Sequence, residues 1–155
     1  MMDDEIGRRR PAKYEAGHGG DGEILFVTLA TKDRKMILAR DDIQALLAEL
    51  WQNATAWLVG RYVLMPDHLH FFCACGGGTH SLEAWMQFWK AAATRNWPRL
   101  NEKPVWQRAY WDTRLRSGDN YSLKWDYVRE NPVRAGLVAH ADAWRFQGEI
   151  HFLQG

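Results

Sequence analysis

The sequence predicts an α+β fold: an antiparallel sheet of four or five strands with helices packed on one face. Three observations carry this. Runs rich in β-branched and aromatic residues alternate with stretches of helical period, in the order β-α-β-β-α-β-α. Two of the strand-like runs are separated only by Pro66-Asp67, which asks for a tight antiparallel hairpin. The 155 residues, 46% apolar and 13% aromatic, suffice for one core, whereas two cores would each be small.

Residues 1–22 are polar and Gly-rich and are expected to be a mobile tail, leaving 23–155 as a single domain with a C-terminal extension. Residues 23–31 read as the first strand. From Asp41 the spacing changes: Ile43, Leu46, Leu47, Leu50 and Trp51 recur at i, i+3, i+4, i+7 and i+8, an amphipathic helix to about Ala54, with Asp41 and Gln44 suited to a capping box. Residues 56–65 and 68–75 form the hairpin, with Pro66 ending the first ladder, and Gly76-Gly77-Gly78 stops the second strand. A second helix spans 81–96, its apolar stripe being Leu82, Trp85, Met86 and Trp89, and it stops before Pro98. Residues 105–115 are expected to be extended. A third helix runs from about 120 to 130 and is ended by Asn131-Pro132. The result is a ferredoxin-like sheet with helical cover.

Composition excludes several classes. The longest apolar runs, such as 24–30, are too short to span a bilayer, and the N-terminus lacks the apolar stretch of a secretory signal, so a cytoplasmic location is expected. The two cysteines, Cys73 and Cys75, are two residues apart on a strand and make no disulfide framework. The net charge of +1 hides an uneven distribution. Residues 41–89 carry one Arg against five acidic side chains, whereas 90–134 carry ten basic against five acidic ones. The basic set is Lys90, Arg95, Arg99, Lys103, Arg108, Arg114, Arg116, Lys124, Arg129 and Arg134. Such asymmetry fits either a phosphate-binding face or ordinary solvated surface. Among the nine tryptophans, Trp97, Trp106 and Trp111 are candidates for stacking on unpaired bases, with core packing the expected job of at least two.

On a strand, residues two apart share a face, so His68 and His70 are co-facial with Phe72, while Leu69, Phe71 and Cys73 point oppositely. Two imidazoles roughly 6 to 7 Å apart along a strand can share one metal ion. The same pair also fits two half-exposed histidines on a solvated sheet. On the third helix, Tyr121, Trp125 and Val128 form the core stripe, and Tyr127 and Asn131, four apart, lie on another side. There, a tyrosine beside an amide oxygen suits either a nucleophile next to a cation or a boundary residue beside a helix cap.

Two segments together resemble a known family. Residues 62–70, Tyr-Val-Leu-Met-Pro-Asp-His-Leu-His, are similar to the signature of single-tyrosine HUH transposases. Downstream, 105–108 and then 127–138, Tyr-Val-Arg-Glu-Asn-Pro-Val-Arg-Ala-Gly-Leu-Val, resemble the REP-associated tyrosine transposases, a branch of that superfamily. The resemblance covers about Glu23 to Val138 and implies cleavage and rejoining of single-stranded, hairpin-forming DNA through a covalent 5′-phosphotyrosine. It implies His68, His70 and Asn131 as ligands of Mg2+ or Mn2+ and Tyr127 as nucleophile, with Tyr121 ranked below it. Arg95, Arg108, Arg114, Arg116, Lys124, Arg129 and Arg134 are the expected DNA-binding residues, and Lys124 is one candidate for helping the tyrosine ionise. Relatives in the superfamily include dimers that exchange the tyrosine helix, so a homodimer hinged near Gly118 is a further expectation. The alternatives are a non-catalytic module that grips structured DNA, an HUH replication initiator or relaxase, and a metal-dependent phosphodiesterase without a covalent step.

Overall fold

The computed structural model describes residues 23–115 and 121–154. The expected tail 1–22, Arg116 and Gly118 lie outside the described residues. One sheet contains β1 (Ile24–Ala30), β2 (Trp57–Leu64), β3 (His68–Cys75), β4 (Trp111–Arg114) and β5 (Gln147–Glu149), in the order β4-β1-β3-β2-β5. Every neighbouring pair is antiparallel, so the α+β fold with a five-stranded antiparallel sheet is as the sequence predicts. The strand that carries both histidines is the central one.

Four helices accompany the sheet: α1 (Asp41–Asn53), α2 (Leu82–Arg95), α3 (Tyr121–Val128) and the short α4 (Asn131–Arg134). The expectation that helices pack on one face needs correction. Ile43, Leu47 and Trp51 of α1 and Leu82, Trp85, Met86 and Trp89 of α2 bury one face together with Leu25, Val27, Leu69, Phe71 and Cys73. Trp125 and Val128 of α3 pack on the other face, against Ile24, Phe26, Val63 and Phe72. The physical reason is in β1, which is buried at every position. A strand buried at every position must be covered on both sides.

Local chemistry explains the element ends. Ser81 caps α2, its hydroxyl accepting from the Ala84 N–H at 3.0 Å. The capping box expected at α1 is absent: the cap position is Arg40, without a side-chain cap bond, and Gln44 instead donates to the Tyr62 hydroxyl at 2.9 Å. Pro132 does more than stop α3, because it sits in the first turn of α4, where its missing N–H costs nothing. Of the expected extended stretch 105–115 only β4 is regular, with one isolated bridge pairing Thr31 and Trp106. Gly77 and Gly78 follow β3 with φ of 110° and 90°, a conformation that glycine alone adopts readily.

β5 comes from the C-terminal extension. The Trp144 indole N–H donates to the Leu64 carbonyl, Arg145 pairs with Asp41, and the Ile150 N–H donates to the Gly60 carbonyl, together holding the extension along β2. Pairing of β2 with β3 shifts register between Val59 and Tyr62, which leaves both side chains facing α1 and α2. Gly60 in that irregularity has no room for a side chain: a Cβ would lie 2.5 Å from the Tyr121 hydroxyl. Among the described residues no helix is long and apolar enough to cross a membrane. Cys73 is buried and Cys75 partly buried, both toward the α1–α2 face, as free thiols.

Candidate active site

The histidine pair is buried. His68 and His70 are 3% and 1% exposed, with ring centroids 4.9 Å apart, closer than ideal strand spacing suggests. Each ring has one nitrogen committed. His68 Nδ1 bonds Asp67 Oδ1 at 2.8 Å, and His70 Nδ1 bonds Thr28 Oγ1 at 2.9 Å. Both Nε2 atoms are buried without a hydrogen-bond partner. The Asp67 carboxylate can only accept, so His68 donates to it from Nδ1, and a buried polar atom left without a partner, as at Nε2, costs about 1 to 3 kcal/mol unless something uses it. Burial first, then the positive charges of His68, Lys124 and Arg134, push the His70 imidazole well below its ordinary value and keep it neutral. Two co-facial imidazoles whose buried Nε2 atoms have no hydrogen-bond partner fit a divalent cation, and the partners on Nδ1 are the kind that orient metal-binding histidines.

Asp67 is more than a turn residue. The hydrogen bond with His68 and the Arg34 guanidinium, 3.1 Å away, hold its carboxyl below the usual carboxylate range. Neither Asp67, Arg34 nor Thr28 was singled out by pattern, although an Asp directly before His-x-His was visible in the sequence.

The two tyrosines of α3 have different surroundings. Tyr121 lies against Phe72 at 4.8 Å, and its hydroxyl accepts the Arg61 N–H at 2.9 Å. Burial pushes that phenol up to about 12. Tyr127 is 45% exposed, with the Arg134 guanidinium 4.1 Å from its ring centroid. Lys124 Nζ lies 5.7 Å from the Tyr127 ring and 4.8 Å from the Phe26 ring, and Phe26 stacks on His70 at 5.3 Å. Lys124 and Phe26 together therefore link the exposed tyrosine to His70. Asn131 opens α4, and its amide oxygen accepts from Arg134 Nη2, which also donates to the Tyr127 carbonyl at 2.7 Å. That oxygen has a second lone pair. Among the described residues no group of three His, Cys, Asp or Glu side chains forms a metal cluster.

The basic residues of 90–134 do not share one surface. Arg95 is exposed on α2, on the far side of the sheet from Lys124 and Arg134. Arg108 is exposed beyond β1, Arg114 pairs with Glu23 at 2.6 Å, and Arg129 pairs with Asp142. Lys90 is inward-facing, donating to the Gln107 and Arg108 carbonyls at 3.0 and 3.2 Å, and burial lowers it to about 8. Trp97 is buried and donates to Glu102, and Trp106 packs edge-on against Trp89 and Trp97. Trp111 is half-buried and has no aromatic partner among the described residues.

Fold and site define a class: an α+β protein whose central antiparallel strand presents a His-x-His pair beside a tyrosine-bearing helix. Comparison with known proteins places it more narrowly. No protein-family model matches the chain. A REP-associated tyrosine transposase of Escherichia coli (strain K12) is 24% identical, over 81% of this chain and 75% of its own. A Haemophilus influenzae protein provisionally given the same name is 22% identical, over 81% and 78%. The solved structure of a REP-associated tyrosine transposase bound to a REP hairpin superposes with a TM-score of 0.67 at 21% identity, covering 89% of this chain and 81% of that one. The resemblance to the REP-associated tyrosine transposases thus holds in sequence and in fold.

Proposed function

We propose that the chain is a transposase-type enzyme that binds hairpin-forming, single-stranded DNA, cuts one strand and transfers it through a covalent bond to Tyr127. The observation that carries this reading is the pair of buried, unpartnered Nε2 atoms on His68 and His70, linked through Phe26 and Lys124 to an exposed tyrosine. A module that only gripped DNA would gain nothing from two histidines desolvated in this way, so a catalytic role accounts for their cost.

His68 and His70 would hold a divalent cation, Mg2+ or Mn2+, with the Asn131 amide oxygen as third ligand; imidazole suits manganese better than magnesium. Such an ion supplies charge neutralisation and alignment at the scissile phosphate. The protein's own groups do the rest. Asp67 and Thr28 keep both rings oriented through Nδ1. The Lys124 ammonium, 5.7 Å from the Tyr127 ring, would draw the scissile phosphate toward the tyrosine oxygen that attacks phosphorus. The bond from phosphorus to the Tyr127 oxygen forms as the bond to the 3′-oxygen breaks, and that oxygen leaves as a free hydroxyl after taking up a proton. The 3′-hydroxyl can later attack the phosphotyrosine, resealing or transferring the strand. Tyr121, with its hydroxyl occupied and its phenol raised to about 12, is poorly suited to this role.

The test is a denaturant-resistant adduct between the protein and an end-labelled hairpin carrying unpaired flanks. Wild type with Mn2+ should form it and Tyr127→Phe should not, since that change removes one oxygen from an exposed side chain. Adduct formation by Tyr127→Phe would remove the assignment.

A further inference from the structure

We propose that Tyr121 is a positioning residue: its hydroxyl, seated in the irregularity of β2, sets the tilt of α3 and so where the Tyr127 oxygen stands against the histidine pair. This rests on the DNA-cleaving reading above and adds what aims the nucleophile.

The seat is made by strand pairing. β2 and β3 shift register between Val59 and Tyr62, so Gly60 and Arg61 have no partner residue in β3. Residues left over in this way have backbone groups that need another partner. The Arg61 N–H finds one in the Tyr121 hydroxyl, which accepts it at 2.9 Å. Gly60 supplies the space: a Cβ there would lie 2.5 Å from that hydroxyl and 2.6 Å from Leu153 Cδ1. The Arg61 guanidinium lies over two rings of α3, 5.6 Å from the centroid of Tyr121 and 5.8 Å from that of Trp125. Phe72 of β3 packs against the Tyr121 ring at 4.8 Å. Two strands therefore hold one phenol, by its oxygen as well as by its ring.

Packing alone does not ask for the oxygen. α3 already buries Trp125 and Val128 against the sheet, and a phenylalanine at 121 would keep the contact with Phe72. A hydrogen bond to backbone adds direction, because its geometry is narrow where an apolar contact tolerates sliding. Bulges recur beside active sites for this kind of aiming.

The aim matters because Tyr127 has little to hold it. It is six residues beyond Tyr121, about 9 Å along the helix axis, and is 45% exposed. The cations against its ring, Lys124 and Arg134, come from α3 and α4 and not from the sheet. Its place is therefore inherited from the way α3 sits. The seat and the histidines also share their strands: Arg61 is two residues from Val63, the partner of His70, and Phe72 is two residues from His70 itself. A misplacement of about 1 Å in a reacting group costs on the order of a hundredfold in rate.

The experiment measures single-turnover formation of the hairpin adduct at saturating DNA with Mn2+, alongside hairpin affinity in chelator and the thermal midpoint. Tyr121→Phe should form the adduct about ten- to a hundredfold more slowly at a temperature where it is fully folded, with hairpin affinity unchanged. Its residual adduct should carry the nucleotide on Tyr127. Gly60→Ala, which drives the same hydroxyl from its seat, should slow the adduct likewise and reads the role without altering Tyr121. Val59→Ala, at the same irregularity but facing α1 and α2, should lower the midpoint and leave the rate as in wild type. Wild-type rates in folded Tyr121→Phe and Gly60→Ala would overturn the positioning role and leave the DNA-cleaving reading intact. So would equal slowing in Val59→Ala, which would make the effect one of general stability. A loss of affinity as large as the loss of rate would overturn it too, making Tyr121 a DNA contact. No adduct from wild type would overturn the DNA-cleaving reading itself.

Discussion

The two faces of the sheet are built from the same strands but not to the same specification. Toward α1 and α2 the strands present Leu25, Val27, Leu69, Phe71 and Cys73, closed by a chain of packed rings from Trp51 through Phe71 to Trp85 and Trp89. Toward α3 alternate residues of those strands give Phe26, Thr28, His68, His70 and Phe72, of which Thr28, His68 and His70 are buried polar side chains. β3 divides residue by residue between these jobs. One face is filled by large apolar and aromatic side chains, while the other carries two imidazoles with unpartnered Nε2 atoms and a lysine set between aromatic rings. The two-residue period of a single strand thereby sets the histidines apart from the apolar core on the other face.

Substitutions should separate in the same way. The largest effect expected is complete loss of cation-dependent cleavage in His68→Ala or His70→Ala, with hairpin affinity kept within a few fold because phosphate contacts supply the grip. Parallel cleavage and anisotropy assays decide it, and undiminished cleavage in excess chelator would contradict the role of both histidines. Next, Phe71→Ala on the filled face should cost about 3 to 5 kcal/mol in a denaturant titration, more than either histidine change, while the remaining folded protein still forms the adduct. Third, Lys124→Gln on the site face should lower the slope of log affinity against log salt by about 0.7 for single strands, whereas Arg95→Gln on the α2 face should leave it unchanged. Equal slopes for the two variants would break the assignment of DNA to one face.

The smallest effect is in pH dependence. Burial lowers Lys90 from an ordinary 10.5 to about 8. Between pH 8 and 10 the unfolded chain therefore holds a proton that the native chain has released, so this residue makes stability rise with pH across that window. Below pH 8 both states are charged and the full burial penalty is present. Above pH 10 buried tyrosines such as Tyr121, raised to about 12, act in the opposite sense. Urea midpoints at pH 8 and 10 should differ more for wild type than for Lys90→Met.

Much of this division was legible in the sequence because it is periodic. The i, i+2 placement of His68 and His70 and the stripes of α1, α2 and α3 depend only on local geometry, and those elements lie where the pattern puts them. What was not legible depends on contacts between distant residues. β5, Gln147-Gly148-Glu149, has no strand pattern and exists because Trp144, Arg145 and Ile150 tie it to β2 and α1. The stripe of α3 says that it packs but not on which face. The basic run at 90–134 fits either one phosphate-binding face or scattered surface charge, and the chain, passing β4 at the sheet edge, distributes those charges to both sides. Lys90 looked like part of that surface and is a clamp on backbone carbonyls. Lys32, Arg34 and Lys35 follow β1 as a basic cluster, but nothing local indicates that they border the histidines.

The central claim, that the site face performs covalent chemistry through Tyr127, is tested most directly by digesting the trapped protein–DNA adduct and locating the phosphonucleotide by mass spectrometry. The account predicts a single modified residue, Tyr127, with Tyr121 unmodified, in wild type but not in His68→Ala. A nucleotide on Tyr121, or an adduct that forms as readily without His68, would contradict it.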